Sequence, residues 1–349
     1  MKGKMLNFGK KYNITWHQTM LRIYNPKETV EFYEKNFGMI NIHTYHFNEQ
    51  NFSLYFMITP PYDEEEKKKI PKKNTRESEK YLWNLNTVCL ELTHNHNSEE
   101  KLSNGNNEDD RGFGHIAFNC HDVVELCDEL LKKNVKFHKL PHETKMKTIG
   151  FALDPNNYWI EIVKRSSEVK WKNKKEITNF SQTMIRIKNP EKSLYFYINI
   201  LDMKLVHIKH NDDFSLYFLK STYLNEKDTN NTEEGGLYDF NSLRNSYQSN
   251  ETYENFKKSW HPVLELTHNH GTEDDDKFSY HNGNTTPRGF GHIGFLVDNL
   301  EDYCKELESL NIPFKKKVNE GIMKNIAFIY DPDNYIIELI QRDTTFNVN

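Results

Sequence analysis

The sequence predicts an α+β protein built from two copies of one unit, because it contains an internal repeat and because both copies show the same succession of elements. Five short motifs occur twice, in the same order, along the 349 residues. Between them, runs rich in β-branched and aromatic residues alternate with two amphipathic helical patterns per copy. The order β-α-β-β, in places with one more strand, occurs twice in each copy, so we expect four such modules.

The repeated motifs place the boundary between the copies near residue 168. The pairs are residues 18–23 and 182–187, 52–56 and 214–218, 90–96 and 264–270, 111–116 and 288–293, and 154–158 and 331–335. A repeat of this length is too long for a solenoid, so we expect a duplicated domain. We predict domains over 1–168 and 169–349, joined within the charged stretch 165–175.

Local signals justify each element of the first copy in turn. Thr19 to Ile23 is a run typical of a strand. Asn25 and Pro26 provide an N-cap and a first helical residue, and Gly38 ends that helix. The remaining predicted elements are strands over 53–57 and 87–93, a strand beginning at 115, a helix over 122–133, and strands over 150–153 and 158–163.

The composition favours a soluble cytoplasmic protein without a nucleic-acid or membrane partner. A formal net charge of −5 gives no basic surface for nucleic acid or an anionic membrane. The four cysteines form no CxxC motif, which fits a reducing compartment. No segment is apolar enough for a secretion signal or a membrane span. Three polar runs, 63–69, 104–110 and 225–250, are interpreted as solvated insertions, because 13% aromatic residues indicate a folded chain.

Four glutamates occupy strand positions where apolar side chains are expected. They are Glu91, Glu161, Glu265 and Glu338. Side chains two residues apart share one face of a strand, so Glu161 lies between Trp159 and Val163. Burial of a carboxylate costs several kcal/mol unless it is paired or bound to a metal. An exposed edge strand would explain one such glutamate, but recurrence at equivalent positions of both copies favours a metal site.

A glutamine and a histidine recur with these glutamates in each copy. Each copy therefore offers three oxygen ligands and one imidazole, a set that suits zinc, nickel or cobalt with positions left open for a substrate. The set lacks the thiolates of a structural zinc site and the two histidines of a non-haem iron oxygenase. The candidate donors are Gln18, Glu91, His115 and Glu161 in the first copy and Gln182, Glu265, His292 and Glu338 in the second.

The other histidines are interpreted as structural or exposed. Those near strand ends, expected at turns or on the surface, are His17, His94, His96, His268 and His270. Those without a histidine counterpart in the second copy, also expected on the surface, are His121, His138 and His142. The sequence Gly112-Phe113-Gly114 is too short for a dinucleotide-binding loop.

Taken together, the motifs resemble the glyoxalase I family of the vicinal oxygen chelate superfamily. They are Gln-Thr-Met-Leu-Arg at 18–22, Leu-Glu-Leu-Thr-His-Asn at 90–95, Arg-Gly-Phe-Gly-His-Ile at 111–116 and Asp-Pro-(x)2-Tyr-(x)2-Glu at 154–161, with their second copies. The resemblance covers both halves except the polar insertions. It implies four βαβββ modules that form two domains with metal sites between them, and a monomer that corresponds to the family's dimer.

The resemblance also implies which residues share a site; the residues alone leave that open. One centre would combine Gln18 and Glu91 with His292 and Glu338, and the other Gln182 and Glu265 with His115 and Glu161. Glutathione contacts are implied at Arg22, Asn95, Arg288 and Lys316 for one centre and at Arg186, Asn269, Arg111 and Lys139 for the other. Two further lysines near the substrate loop are Lys147 and Lys324.

The substrate loops of the two copies differ in sequence. The family's glycine in this loop is kept as Gly321 in the second copy but replaced by Thr144 in the first, and Lys145 of the first copy corresponds to Ile322 of the second. We therefore expect the two sites to differ in loop closure.

The implied reaction is isomerisation of the methylglyoxal–glutathione hemithioacetal to S-D-lactoylglutathione, through an enediolate, in methylglyoxal detoxification. One divalent metal per site, zinc before nickel or cobalt, would act as Lewis acid, and glutathione is the co-substrate. The general bases would be Glu161 and Glu338. Glu91 and Glu265 would transfer protons for the other substrate stereoisomer.

Two other functions stay open at this point. An iron-dependent ring-cleaving dioxygenase of the same superfamily would have histidine where Gln18 and Gln182 stand. A module that only sequesters a small ligand would need no general base, whereas both copies retain the full set of donors.

Overall fold

Each of four modules combines one main helix with four strands of a large sheet, as the sequence predicts, and the third module has one additional short strand. The computed structural model describes residues 2–4, 6–144, 147–165, 178–222, 237–321 and 323–346. The chain begins with β1 (Lys2–Lys4) and α1 (Phe8–Tyr12). Module 1 contains β2 (Thr15–Arg22), α2 (Pro26–Phe37), β3 (Ile40–Phe47), β4 (Phe52–Ile58), the short helices α3 (Glu64–Lys67) and α4 (Arg76–Leu82), and β5 (Cys89–Asn95). Module 2 contains β6 (Phe113–Cys120), α5 (Val123–Lys132), β7 (Phe137–Lys139), β8 (Ile149–Leu153) and β9 (Trp159–Lys164).

The second half repeats this order. Module 3 contains β10 (Asn179–Ile187), α6 (Pro190–Tyr195) with a π-helical continuation (Phe196–Ile200), β11 (Lys204–His210), β12 (Phe214–Lys220), β13 (Leu237–Asp239), α7 (Phe240–Tyr247), α8 (Asn250–Lys258) and β14 (Val263–Asn269). Module 4 contains β15 (Phe290–Val297), α9 (Leu300–Ser309), β16 (Phe314–Lys316), β17 (Ile326–Tyr330) and β18 (Ile336–Gln341).

Each of the two eight-stranded sheets joins a module of one half to a module of the other. The first sheet has the order β16-β17-β18-β15-β2-β5-β4-β3, and the second has the order β11-β12-β14-β10-β6-β9-β8-β7. The halves meet where β15 pairs antiparallel with β2 and where β6 pairs antiparallel with β10. The α+β prediction is therefore confirmed. The predicted boundary at residue 168 lies outside the described residues, so the division into 1–168 and 169–349 stays a prediction.

The two sheets contact each other through equivalent residues of the two copies. The hydroxyl groups of Thr19 and Thr183 are 2.6 Å apart. The rings of Phe113 and Phe290 stack with centroids 5.2 Å apart and planes 7° from parallel. Because each contact joins a residue to its own repeat, the copies are arranged with approximate twofold symmetry.

The Asp-Pro-x-x-Tyr motif has a structural role that links the halves. Asp154 accepts the backbone N–H of Tyr158 at 2.9 Å and so shapes the turn before β9. The Tyr158 hydroxyl donates to the carbonyl of Arg22 at 2.9 Å, and Tyr335 donates to the carbonyl of Arg186 at 3.0 Å. These bonds fix the strands from which the candidate donor residues project.

Helix boundaries follow the sequence signals closely. Asn25 caps α2 by accepting from the backbone N–H of Glu28, and Gly38 ends the helix with φ 63°. The four apolar residues predicted to face the core from α5 are all buried: Val123, Leu126, Cys127 and Leu130. Among the described residues, no helix combines the length and apolarity needed to cross a membrane. All four cysteines are buried and free.

Three interpretations of the sequence were wrong in part. The run 225–250 is not wholly a solvated insertion, because its described part contains β13 and α7 and the side chain of Tyr238 is buried. The first main strand begins at Thr15 rather than at Thr19. The run 104–110 is not simply a solvated insertion, because Asn106 donates to the carbonyl of Gly114 at 2.6 Å and accepts from Arg186 at 2.9 Å. This polar loop therefore supports the strand that carries His115.

Candidate metal centres

The first centre lies where module 1 meets module 4. Gln18 is on β2 and Glu91 is on the adjacent β5. His292 on β15 and Glu338 on β18 come from the other half. Nε2 of His292 is 2.9 Å from Glu338 Oε2 and 3.3 Å from Glu91 Oε2. The Gln18 amide nitrogen contacts both carboxylates. All four side chains are buried, so they form one enclosed polar cluster.

The second centre repeats this arrangement with modules 3 and 2. Its residues are Gln182 on β10, Glu265 on β14, His115 on β6 and Glu161 on β9. The amide nitrogen of Gln182 is 2.6 Å from Glu161 Oε2 and 2.8 Å from Glu265 Oε2. Nε2 of His115 is 3.3 Å from Glu161 Oε2 but 3.9 Å from Glu265 Oε2. The structure thus brings together the two sets of four residues that the resemblance implied.

Negative charge is concentrated in both centres. Burial opposes protonation of His292, but the carboxylates of Glu338 and Glu91 outweigh it and raise the pKa of this imidazole to about 9. Despite burial, nearby carboxylates also raise the pKa of His115. Burial raises the pKa of Glu265 to about 7. A divalent cation would neutralise two carboxylates that are otherwise costly to bury side by side, so the charges of each centre suit a metal ion.

The two carboxylates of each centre are held differently. In the first centre Thr93 donates its hydroxyl to Glu91 Oε1 at 3.0 Å. Oε1 of Glu338, in contrast, accepts no side-chain or backbone hydrogen bond from any residue that the structure describes. The second centre follows the same pattern. Thr267 donates its hydroxyl to Glu265 Oε1 at 3.2 Å, whereas Oε1 of Glu161 accepts no hydrogen bond from the described residues. Within the described part of the chain, each centre therefore has one carboxylate whose Oε1 accepts a hydrogen bond and one whose Oε1 accepts none.

A buried histidine favours presentation of the Gln18 amide oxygen to the first centre. His17 Nε2 lies 2.8 Å from the carbonyl oxygen of Leu82, which can only accept a hydrogen bond, so Nε2 carries a proton. Burial lowers the pKa of His17 to about 4, so the ring is neutral and its Nδ1 is an acceptor. Nδ1 is 2.7 Å from the side-chain oxygen of Gln18. The oxygen and the nitrogen of a side-chain amide are alike in shape, so hydrogen bonds decide which position each one takes. In the structure the amide oxygen faces Nδ1 and the amide nitrogen faces the carboxylates; rotating the amide by half a turn would let NH₂ donate to Nδ1 and present the amide oxygen to a metal.

The second centre lacks this support. Ser181 occupies the position of His17 in the repeat. Its hydroxyl is buried and has no hydrogen-bond partner among the described residues. The two centres therefore differ in what orients the amide, although their four donor residues are the same.

At the first centre, the implied glutathione residues line one cavity of about 360 Å³ together with Glu91 and Glu338. They are Arg22, Asn95, Arg288 and Lys316. Arg22 also donates to the carbonyl of Gly289, just before β15, at 3.2 Å and to that of Phe290, the first residue of β15, at 3.1 Å. Arg288 is paired with Glu100, whose carboxylate is 2.7 Å from its Nε. The carboxylate of Glu100 thus neutralises part of the positive charge at this end of the cavity.

At the second centre, Arg111 and Asn269 line a separate cavity of about 340 Å³. Arg186 makes the same contacts as Arg22, including 3.0 Å to the carbonyl of Phe113. Lys139 and Lys147 are exposed. The equivalent of Lys147, Lys324, is also exposed and donates to the carbonyl of Asn319 at 2.6 Å.

The substrate-loop glycine and its replacement adopt different backbone conformations. Gly321 has φ 65°, in the left-handed region, whereas Thr144 is extended with φ −87°. This agrees with the expectation that the loops differ. Lys145, Met146 and Ile322, which belong to the same comparison, lie outside the described residues.

Two histidines that were predicted at turns or on the surface are buried. His17 is fully buried on β2, and His268 is buried with Nε2 2.7 Å from Glu273. The prediction was wrong for His17 because Leu82 and Trp83, from the insertion after β4, cover the face of β2 opposite Gln18. His94, His96 and His270 are half-buried, as is His121, while His138 and His142 are exposed.

Comparison with known proteins supports the kinship of both halves. Residues 15–162 and 179–339 match the model of the Glyoxalase/Bleomycin resistance protein/Dioxygenase superfamily. A protein of Saccharomyces cerevisiae named glyoxalase I is 41% identical over 334 residues, which cover 93% of this chain and 91% of that protein. Lactoylglutathione lyase of Schizosaccharomyces pombe is 37% identical over 93% of this chain and 96% of its own length.

Two further matches concern the repeat and the fold. Lactoylglutathione lyase of Pseudomonas putida is 42% identical over 84% of its length but only 46% of this chain, so it corresponds to one copy. Glyoxalase I from Zea mays, known from a crystal structure, has the same fold, with a TM-score of 0.64 at 20% identity over 96% of this chain and 95% of that one. By the matches over both halves and the identities along nearly its whole length, the chain belongs to the glyoxalase I (lactoylglutathione lyase) family of this superfamily.

Proposed function

We propose that the protein is a metal-dependent lactoylglutathione lyase that converts the methylglyoxal–glutathione hemithioacetal to S-D-lactoylglutathione at two centres per chain. The observation that carries this proposal is the convergence of one amide, two carboxylates and one imidazole in each centre, within walls that also contain cationic side chains. Related proteins named glyoxalase I or lactoylglutathione lyase cover nearly the full chain.

The proposed metal ligands are the four donors of each centre. A divalent ion held there would supply Lewis-acid stabilisation of negative charge that develops on the substrate oxygens. Zinc is the ion that we propose, since the donors are nitrogen and oxygen atoms, and nickel or cobalt would suit the same set. The ligands are Gln18, Glu91, His292 and Glu338 in one centre and Gln182, Glu265, His115 and Glu161 in the other.

The hydrogen bonds at each centre support a division of roles between its carboxylates. The reaction moves a proton from C1 of the hemithioacetal to C2, which requires a group that can accept and return it. Among the described residues, Oε1 of Glu338 accepts no hydrogen bond, whereas Oε1 of Glu91 accepts one from Thr93. We therefore assign proton transfer to Glu338 and, by the same reasoning, to Glu161. Glu91 and Glu265 are assigned to protons of the other stereoisomer.

The cationic residues near the centres are proposed to bind glutathione. Glutathione carries two carboxylates, and a guanidinium group binds a carboxylate through paired hydrogen bonds. For the first centre the residues are Arg22, Asn95, Arg288 and Lys316, and for the second they are Arg186, Asn269, Arg111 and Lys139. Lys147 and Lys324 complete the proposal as residues near the substrate loops.

Each centre draws all its donors from one chain, so we propose a functional monomer located in the cytoplasm, where free thiols persist. A gel-filtration mass of two chains would contradict the monomer.

Thioester formation from methylglyoxal and glutathione tests the proposed function. The purified protein is assayed as isolated, after removal of metal by a chelator, and after addition of zinc, nickel or cobalt. We expect activity to disappear with the metal and to return with zinc. Absence of turnover in protein shown to contain two metal ions would refute the proposed reaction and favour another substrate or a binding role.

A further inference from the structure

The second centre opens into a cavity of about 390 Å³ on the side of Arg165. Its walls include the donors Glu161, Gln182 and Glu265. They also include four cationic side chains from three different elements: Lys164, Arg165, Lys209 and Lys257. Apolar residues such as Phe218 and Phe256 complete the walls. The cavity therefore joins a candidate metal centre to a concentration of positive charge.

Arg165 is the most unusual member of this group. The residue is only 7% exposed, yet its guanidinium has no hydrogen-bond acceptor among the residues that the structure describes. The group lies 4.3 Å above the ring of Phe256, which orients it in the cavity wall. Because it lines the open cavity and donates to no acceptor among the described residues, this guanidinium is available to bind an anion there.

The equivalent arginine of the other half is fully engaged. Arg342 donates to Asp298 at 2.8 Å, to the carbonyl of Asn13 at 2.7 Å and to the hydroxyl of Thr15 at 3.0 Å. The position of Asp298 in the repeat is held by His121 in the first half. Arg165 thus lacks the carboxylate that makes Arg342 a structural residue.

Aromatic side chains fill the corresponding region of the first centre. Tyr45 stands on β3 where Lys209 stands on β11, since each is paired with the same motif leucine on the next strand. Trp83 donates to the Tyr45 hydroxyl at 2.9 Å and packs against Phe346 at a centroid distance of 5.2 Å. The first centre therefore carries aromatic side chains on this side, whereas the second carries cationic ones.

The cavity lies on the side of the second centre away from the proposed glutathione site. Arg186 follows Gln182 along β10, and Arg165 follows Glu161 at the end of β9. Because β6 pairs antiparallel with β10 and parallel with β9, the latter two strands run in opposite directions. The two arginines are thus at opposite ends of the centre. In a hemithioacetal, sulfur is bonded to C1 and the remaining substituent to C2, so a substrate with its sulfur on the side of Arg186 would direct that substituent towards Arg165.

We propose that the second centre accepts hemithioacetals of glutathione with α-oxoaldehydes that carry an anionic group, with Arg165 as the residue that selects the anion. This inference rests on the proposed function and extends its substrate class. The reaction itself is unchanged: a proton leaves C1 and is returned to C2, and no other bond is made or broken. The first centre, which carries Tyr45 and Trp83 in place of the cationic residues, accepts only small uncharged substituents.

Calorimetry with unreactive thioethers tests the pocket independently of turnover. The probes are S-carboxybutylglutathione and the corresponding carboxamide, titrated into zinc-loaded protein. We expect the carboxylate to bind one site per chain at least about tenfold more tightly than the carboxamide does, as a charge-assisted bond to arginine requires. Arg165→Gln should abolish this ratio, and Arg165→Lys, which keeps the charge but loses the paired geometry, should retain part of it. Lys258→Gln removes the same charge from an exposed position on α8 and should leave the ratio as it is.

Turnover then assigns the preference to a centre. Glu338→Gln leaves the second centre active and Glu161→Gln leaves the first, and each is assayed with methylglyoxal and with a carboxylate-bearing α-oxoaldehyde. We expect the ratio of kcat/KM for the two substrates, anionic over neutral, to be at least about tenfold higher in Glu338→Gln. Equal ratios in both variants, or a carboxylate preference that survives Arg165→Gln, would overturn the inference while leaving methylglyoxal turnover intact. Absence of methylglyoxal turnover in the unaltered, metal-loaded protein would instead refute the proposed function.

Discussion

Replacing His17 by serine should weaken metal binding at the first centre alone. The substitution gives β2 the residue that the second half already has at Ser181, and it removes the 2.7 Å hydrogen bond between the imidazole and the Gln18 amide. A buried neutral hydrogen bond contributes about 1 to 1.5 kcal/mol, which corresponds to roughly tenfold in affinity. Loss of a residue that orients a metal ligand typically costs about 10- to 100-fold. We therefore expect zinc affinity at this centre to fall by one to two orders of magnitude.

Competition with a chromophoric chelator measures the two zinc affinities in one titration. The second centre is the internal control, because Ser181 is unchanged there and its affinity should be unaffected. His17→Asn, which keeps a hydrogen-bonding side chain of smaller size, should lose less affinity than His17→Ser. A melting curve verifies that both variants are folded, since the ring of His17 also packs against Trp83 at a centroid distance of 5.1 Å. Equal weakening at both centres, or none at either, would refute the role assigned to His17.

Three other perturbations test the centres and their charges. Glu338→Gln combined with Glu161→Gln should abolish turnover in protein that still folds and binds glutathione thioethers. Each single variant should retain about half of the rate if the centres act independently. Retained turnover in the double variant would contradict the assignment of the bases. Glu100→Gln releases Arg288 from its ion pair. The affinity of the first centre for S-hexylglutathione, measured by calorimetry, should then rise by up to about fivefold, which corresponds to the energy of one partly exposed ion pair. The same change at the neighbouring Glu99 should leave this affinity unchanged. Removal of metal should lower the melting temperature by about 5 °C, since a ligand at a hundredfold excess over its Kd contributes about 2.7 kcal/mol; identical melting curves with and without chelator would exclude a structural contribution of the metal.

The positions of the donor residues could be predicted from strand alternation, whereas their grouping could not. Alternation places Glu161 and Glu338 on faces with apolar neighbours and so predicts that both are buried; Glu338 is buried and Glu161 is half-buried. Alternation says nothing about which strands lie side by side. The antiparallel pairs β2–β15 and β6–β10 decide that Gln18 meets His292 rather than His115. Only the family resemblance, which carries that topology with it, implied this grouping in advance.

The differences between the two centres were harder to predict because insertions create them. His17 is buried by Leu82 and Trp83, which belong to the segment that follows β4, and Arg165 faces a cavity that α8 helps to enclose. Neither segment has a counterpart with the same sequence in the other half. A pattern of alternation describes one strand and cannot show what covers it. The replacement of Asp298 by His121 was the one sequence signal that could have drawn attention to Arg165.

Because each large sheet combines one module from each half, the order of the modules along the chain also sets the order in which the centres are completed during synthesis. The first sheet is closed by the first and last modules of the chain, whereas the second sheet uses the two middle ones. A ribosome that has passed Glu265 has therefore produced every donor of the second centre, while Gln18 and Glu91 still await His292 and Glu338. Until then β2 presents an unpaired edge, which is the kind of surface on which nascent chains associate wrongly. The middle of the molecule is thus able to fold first and to provide the surface, through Thr183 and Phe113, on which the two ends of the chain are brought together.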